Sequence, residues 1–213
     1  LKSFARKVLS ESKAALVFYP YISKGLDGKL ITELKVKTLS VPRNENTLSE
    51  FYYLKGISMM KIASLIQFTL PGVPSIYYGS EYGIEGMRTN HSDYELRPCL
   101  DLDSIPNPNY QLFDHIVKLG KIRLALEALK YGDFANVKIM NEKLVYKRWT
   151  NNQTVFVAFN LTDRVERIGF DTGCNAKLTD VLNGNEVIDV NGYYEIEMQP
   201  YQSRILVVND GSF

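Results

Sequence analysis

At Gly132 the spacing of apolar residues changes, and that change constrains the fold more than any other feature of the chain. Before it, long stretches of helical period alternate with short apolar runs. After it, runs at 137–140, 143–149, 154–160, 165–170, 177–181, 186–190, 193–198 and 203–208 recur at roughly ten-residue spacing. Asn-Glu, Asn-Asn, Thr-Asp and Asn-Gly pairs separate them, and such residues tolerate tight turns. The second half therefore predicts an antiparallel β-sandwich. The boundary falls at 131–136, dividing the chain into domains 1–131 and 132–213.

The first half reads as alternating helix and strand. Residues 2–14 have helical spacing, 15–19 form a short apolar run suited to a buried parallel strand, and Pro20 with Gly25 and Gly28 breaks it. A helix over roughly 29–35 leads to a strand-like run at 36–41, which Pro42 ends. The clearest helix spans 48–70, where Lys55, Ser58, Lys61, Ser64 and Gln67 make a narrow polar stripe on an otherwise apolar cylinder, the pattern of a largely buried helix. Pro71 removes a backbone donor and Gly72 permits a left-handed turn, so the helix stops there. Val73 to Tyr78 reads as a strand, a polar loop runs to Asn109, and a last helix covers 110–130 with Leu112, Ile116 and Leu119 on one face. Alternation of this kind predicts a parallel sheet.

Charge excludes two classes of partner. With 25 Lys and Arg against 24 Asp and Glu, a net charge of +1 gives no electrostatic case for nucleic acid or an anionic membrane. No apolar run reaches membrane-spanning length. The amino terminus has neither an initiator Met nor a signal-like core, which predicts a chain that starts mid-protein, and the expected location is cytoplasmic. Cys99 and Cys174 fall in different predicted domains and are expected to be free thiols. His91 and His115 are the two histidines, and with two scattered cysteines they give no zinc spacing; no metal or cofactor is expected. His91 lies in Asn90-His91-Ser92-Asp93, but three sequence neighbours cannot adopt triad geometry. The sequons Asn152-Gln153-Thr154 and Asn160-Leu161-Thr162 are short enough to arise by chance.

The segment Leu70-Pro71-Gly72-Val73-Pro74-Ser75-Ile76-Tyr77-Tyr78-Gly79-Ser80-Glu81-Tyr82-Gly83 resembles the eighth barrel strand of the α-amylase superfamily of glycoside hydrolases, PG(V/I)P-x-IYYG-x-E-x-G. Ile122-Arg123-Leu124-Ala125-Leu126 through Gly132-Asp133-Phe134 is similar to that family's last barrel helix. The run from Phe156 to Leu161, and Met198-Gln199-Pro200-Tyr201 with Arg204-Ile205-Leu206, resemble strands of its carboxyl-terminal β domain. The resemblance implies the carboxyl-terminal portion of a (β/α)8 barrel followed by that domain. It also implies an α-glucan or oligosaccharide substrate, with the rest of the barrel coming from an amino-terminal half or from self-association.

Retaining glycosidases need two carboxylates about 5 to 5.5 Å apart. In this family they follow the fourth and fifth strands, so counting back from 73–78 places both before Leu1, and no catalytic residue is expected within the chain. The family's seventh-strand motif N-H-D-T aligns with Asn44-Glu45-Asn46-Thr47, where Glu45 replaces the His and Asn46 replaces the Asp. An amide cannot supply the charge of a carboxylate to a cationic transition state. Asn44 and Asn46 could equally serve the turn before the next helix. The resemblance implies substrate contacts at Asn44, Glu45, Asn46, Glu81 and Arg97, with Glu81 as a loop organiser. The tryptophan that the family carries near Asp101 is absent; Trp149, the single Trp, lies on a predicted sandwich strand and could pack in the core or stack on sugar. An inactive, amylase-like binding module is the alternative reading.

Overall fold

The computed structural model describes residues 17–24, 30–37, 47–86, 91–92 and 94–209. They divide into two compact units: residues up to Gln67 with Val73–Val117, and Phe68–Gly72 with the chain from Lys118 onward.

In the first unit, β1 (Val17–Lys24) and β2 (Leu30–Lys37) form an antiparallel hairpin in which Val17 faces Lys37 and Lys24 faces Leu30. This corrects the helix expected over 29–35: Leu30, Thr32, Leu34 and Val36 alternate with Glu33, Lys35 and Lys37, a period of two that the hairpin realises. Pro20 does not end β1 but sits opposite Leu34, and β1 pairs on one side only among the described residues, a place where a strand tolerates proline. The expected 2–14 helix and the end of the 36–41 run lie outside the described residues. A parallel ladder is not shown among the described residues.

The long helix α1 (Thr47–Thr69) matches expectation, and Met60, Ile62, Ala63 and Leu65 are buried at 2% exposure or less. The helix expected over 110–130 is instead two. α2 (Tyr110–Ala125) is interrupted at Leu126, whose φ of −99° and ψ of 114° are extended, before α3 (Glu127–Tyr131). The break puts Leu126, Ala128 and Leu129 into buried positions, and the side chain of Gln153 accepts the otherwise orphaned Ala128 N–H at 3.0 Å. Asn109 caps α2 by accepting the Leu112 N–H at 2.9 Å. No helix among the described residues is long and apolar enough to cross a membrane.

The second unit carries a six-stranded antiparallel sheet in the order β3-β4-β5-β8-β6-β7. Its strands are β3 (Asp133–Ile139), β4 (Lys143–Trp149), β5 (Thr154–Asn160), β6 (Glu166–Asp180), β7 (Glu186–Met198) and β8 (Ser203–Asn209). Eight expected runs merge into six strands because 165–170 joins 177–181 and 186–190 joins 193–198. The register shifts between Asp171 and Asn175, and beyond that shift β6 pairs with β8 as well as with β7. The bend curls the sheet over one core, in which Val145, Phe156, Leu206, Ile168, Phe170, Leu178 and Met198 are almost fully buried. A curled sheet thus supplies both faces of the sandwich-like layer.

Most buried polar groups described in this unit are satisfied, Arg204 Nε being an exception. Asn160, fully buried, donates to the carbonyls of Arg164, Met198 and Gln199 and accepts from the Thr162 amide and hydroxyl. Its sequon is therefore sealed inside the fold, whereas Asn152 is exposed. Arg148 on β4 is 1% exposed, and its guanidinium donates to the carbonyls of Thr69, Leu129, Gly132 and Asp133 at 2.7, 3.2, 2.7 and 3.1 Å. Burial and the neighbouring Arg123 pull its pKa down to about 10, so it stays charged at neutral pH. Beside it the Tyr146 hydroxyl, pushed above its usual range by burial, pairs with Thr69 Oγ1 at 2.5 Å.

Substitution at these polar anchors has defined expected outcomes. Arg148→Met removes the donor to four buried carbonyls and should cost at least about 3 kcal/mol in a urea titration, since each unpaired buried acceptor costs about 1–3 kcal/mol. Val187→Ala, at a side chain 57% exposed, should stay within about 0.5 kcal/mol in the same titration. Glu166 accepts from Lys143 at 2.5 Å and from Arg164 at 2.7 Å, and these bonds hold its carboxyl below the ordinary range. A depressed folded-state pKa stabilises above the unfolded value, and the gain disappears as pH falls through the folded one. Glu166→Gln should thus unfold more easily than the parent at neutral pH, and the gap should narrow as pH falls below the ordinary carboxylate range.

Candidate functional site

The motif singled out at 70–83 begins at the exit from α1. Gly72, with φ of 113°, turns the chain out of the helix into 73–77, which pair with no strand among the described residues, and Tyr78 opens a turn. The strand expected there is therefore not formed. In a strand, adjacent side chains point to opposite faces; here the rings of Tyr77 and Tyr78 lie side by side, centroids 4.7 Å apart at 35°. Val73 is 71% exposed and Tyr78 45%, so the segment presents its apolar and aromatic groups outward.

Gly79 then turns the chain with φ of 85°, in a spot where a Cβ would press on Ile84 Cδ1 at 3.0 Å and Leu100 Cδ1 at 3.2 Å. A single 3-10 turn, Ser80–Tyr82, comes next, fixed by Ser80 N donating to Tyr77 O at 3.0 Å and Ile84 N donating to Gly79 O at 3.1 Å. Tyr82 stacks on Phe113 of α2, centroids 4.9 Å apart and 12° from parallel, which pins the far side of the loop. The Gln67 amide donates to Ser75 O across a narrow cleft floored by Met60, Ser64 and Ile116.

Of the five predicted contact residues, Glu81 and Arg97 can be placed. Glu81 sits in the 3-10 turn, and its Oε2 is buried with no hydrogen-bond partner among the described residues. Arg97 is exposed at the end of the short turn Tyr94–Leu96, its amide donating to Tyr94 O at 3.0 Å. Its charge acts on the Tyr78 hydroxyl: the hydrogen bond with Tyr77 raises the Tyr78 pKa, and Arg97 opposes that rise. Asn44, Glu45 and Asn46 lie outside the described residues. Cys99, exposed and free as expected, is also within electrostatic reach of Tyr78. The His115 ring bonds Lys61 O at 3.1 Å, a structural contact. Trp149 is half-buried on β4 with Lys147 Nζ 4.8 Å from its ring centre, so a cation covers that ring.

The Tyr77–Tyr78 pair was not among the predicted contacts, although two adjacent tyrosines before a left-handed glycine are its signal in the sequence. Tyr77, Tyr78 and Arg97 offer ring faces, two hydroxyls and a guanidinium, while the unpartnered Glu81 Oε2 is buried. Among the described residues no group of three His, Cys, Asp or Glu is placed to hold a metal ion.

No family model matches the chain. It is 29% identical over 148 residues to the cyclomaltodextrinase of Geobacillus thermopakistaniensis, covering 68% of this chain and 24% of that protein. It is 27% identical over 159 residues to alpha-amylase 2 of Dictyoglomus thermophilum, covering 71% of this chain and 26% of that one. The chain thus spans about a quarter of the length of these curated relatives. Among solved structures, the α-amylase of Geobacillus thermoleovorans complexed with acarbose superposes with a TM-score of 0.66 at 23% identity, over 78% of this chain and 36% of that one, a likeness of fold. The curled antiparallel sheet matches the carboxyl-terminal β domain of such amylases. In sequence the chain is similar to cyclomaltodextrinases and α-amylases, and in fold to α-amylases, so it resembles the carboxyl-terminal region of the α-amylase superfamily of glycoside hydrolases.

Proposed function

We propose that this chain is the carboxyl-terminal part of an α-amylase-type hydrolase or transglycosylase that acts on α-glucans or oligosaccharides. The observation that carries the reading is the Tyr77–Tyr78 ring pair with Arg97 acting on Tyr78, in a chain similar to cyclomaltodextrinases and α-amylases. A sugar ring is apolar on its faces and hydroxylated at its rim. Adjacent phenol rings suit the faces, and a guanidinium with a carboxylate suits the rim. That a related fold has been solved with acarbose supports the same class of ligand.

The nucleophile and general acid belong, on this reading, to barrel strands outside this sequence, supplied by a further segment or by a second chain. A retaining mechanism needs a carboxylate pair about 5 to 5.5 Å apart, and Glu81 stands in a turn with no such partner proposed. The chain contributes substrate contacts at Asn44, Glu45, Asn46, Glu81 and Arg97 and the β domain beyond them. A second reading, an inactive amylase-like binding or protein-interaction module, is favoured by Glu45 and Asn46 standing where the family has His and Asp.

Titration of the chain with maltotriose, monitored by calorimetry or tyrosine NMR shifts, should give saturable binding without hydrolysis. Tyr78→Ala or Arg97→Ala should weaken it about fivefold or more, a change of roughly 1 kcal/mol. No saturation, or equal affinity in both variants, would remove this site from the proposal. In a protein that also carries the remaining barrel strands, Asn46→Asp should raise kcat by about 10²–10³ if a carboxylate there completes the electrostatic stabilisation. No gain with the fold intact would favour the binding module.

A further inference from the structure

We propose that Arg123 is a positioning residue for the Tyr77–Tyr78 segment, an inference that rests on the reading of those rings as sugar contacts. Arg123 stands half-buried near the end of α2. Its Nη1 donates to Phe68 O at 2.6 Å and Leu70 O at 3.3 Å, and its Nη2 donates to Gly72 O at 2.5 Å. These three carbonyls straddle Pro71 and the left-handed Gly72, the point where the chain leaves α1. The last carbonyls of a helix have no intrahelical donors, and Pro71 has no N–H to offer the turn. One guanidinium fork supplies what the backbone cannot.

Gly72 is joined by a peptide bond to Val73, so fixing its carbonyl plane fixes where the unpaired segment starts and in which direction it sets out. That segment has no ladder among the described residues to hold its course; downstream it is tied by Gln67 to Ser75 O and by the turn at Tyr77. Without the clamp at its origin, the segment could rotate at Gly72, the most permissive backbone position in the stretch. An ammonium cannot replace the fork, because a single nitrogen on a flexible stem does not reach carbonyls on both sides of Pro71 with fixed geometry.

The test uses the full chain with Arg123→Met and Arg123→Lys, and reads chymotryptic cleavage by mass spectrometry at Tyr77–Tyr78 against cleavage at Tyr94, which is 77% exposed. Arg123→Met should speed cleavage at Tyr77–Tyr78 by about fivefold or more and leave Tyr94 within about twofold, with Arg123→Lys in between, because local opening changes without global loosening. Maltotriose affinity should fall in the same order. An unchanged rate at Tyr77–Tyr78, or rates at both sites rising together, would overturn the proposal. Should Arg123→Met fail to fold, the ratio of the two sites in Arg123→Lys decides. Should the parent chain bind no maltotriose, the sugar reading fails, while the cleavage ratio still decides what Arg123 does.

Discussion

A buried guanidinium must be met by acceptors, and in this chain they are main-chain carbonyls where carboxylates would be usual. Arg148 and Arg123 between them take the carbonyls of Phe68, Thr69, Leu70 and Gly72, together with those of Leu129, Gly132 and Asp133. Residues 68–72 are therefore gathered with the β-rich unit, although the rest of α1 is not. Desolvation makes such a cation costly, and most of its acceptors are carbonyls of a helix end or a turn, which lack intrahelical donors. The same contacts carry the chain from helix α3 into strand β3, since Gly132 O and Asp133 O are held by one side chain. A Cβ at Gly132 would meet Ala128 O at 2.5 Å and Trp149 O at 2.6 Å, so a glycine is required at that junction.

The β-rich unit solves a second problem by bending two long strands. β6 and β7 pair along nearly their whole length, yet only the later part of β6 also pairs with β8. The curled sheet thereby closes over a single apolar core, and its ends are tied by buried polar groups. Asp180, fully buried, accepts from the amides of Leu182 and Asn183 and from the Asn183 side chain, and it pairs with Arg204 at 3.2 Å. Asn160 performs the equivalent task at the end of β5. Paired in this way, buried polar groups specify one arrangement of the turns.

The candidate site shows why some functional geometry was legible and some was not. The proline and glycines of 70–83 announced a helix stop and then turns, and Gly72, Gly79 and Gly83 all adopt left-handed backbone. Their residue types carry the resemblance to the α-amylase superfamily. Apolar content also announced a strand at 73–78, but a strand exists only through its partners. With none among the described residues, the rings of Tyr77 and Tyr78 lie side by side, and Tyr78 is also under the influence of Arg97.

By itself the sequence determined the features that depend only on local period and local chemistry: the buried helix α1, the helix stop at Pro71, the run of short strands after Gly132, and the resemblance to the family through a motif of turn residues. Only the tertiary structure decided which groups meet across distance. Arg123 and Arg148 read in the sequence as ordinary cations, because nothing local distinguishes a solvated arginine from one that caps a distant helix. The break at Leu126 was invisible for the same reason, since the Gln153 side chain that caps α3 comes from the β4–β5 turn. The hairpin β1–β2 lay hidden behind an ambiguous short period, and only pairing resolved it. Hydrophobic period is a property of neighbours along the chain, whereas hydrogen-bond satisfaction is a property of neighbours in space, and no local pattern encodes the second.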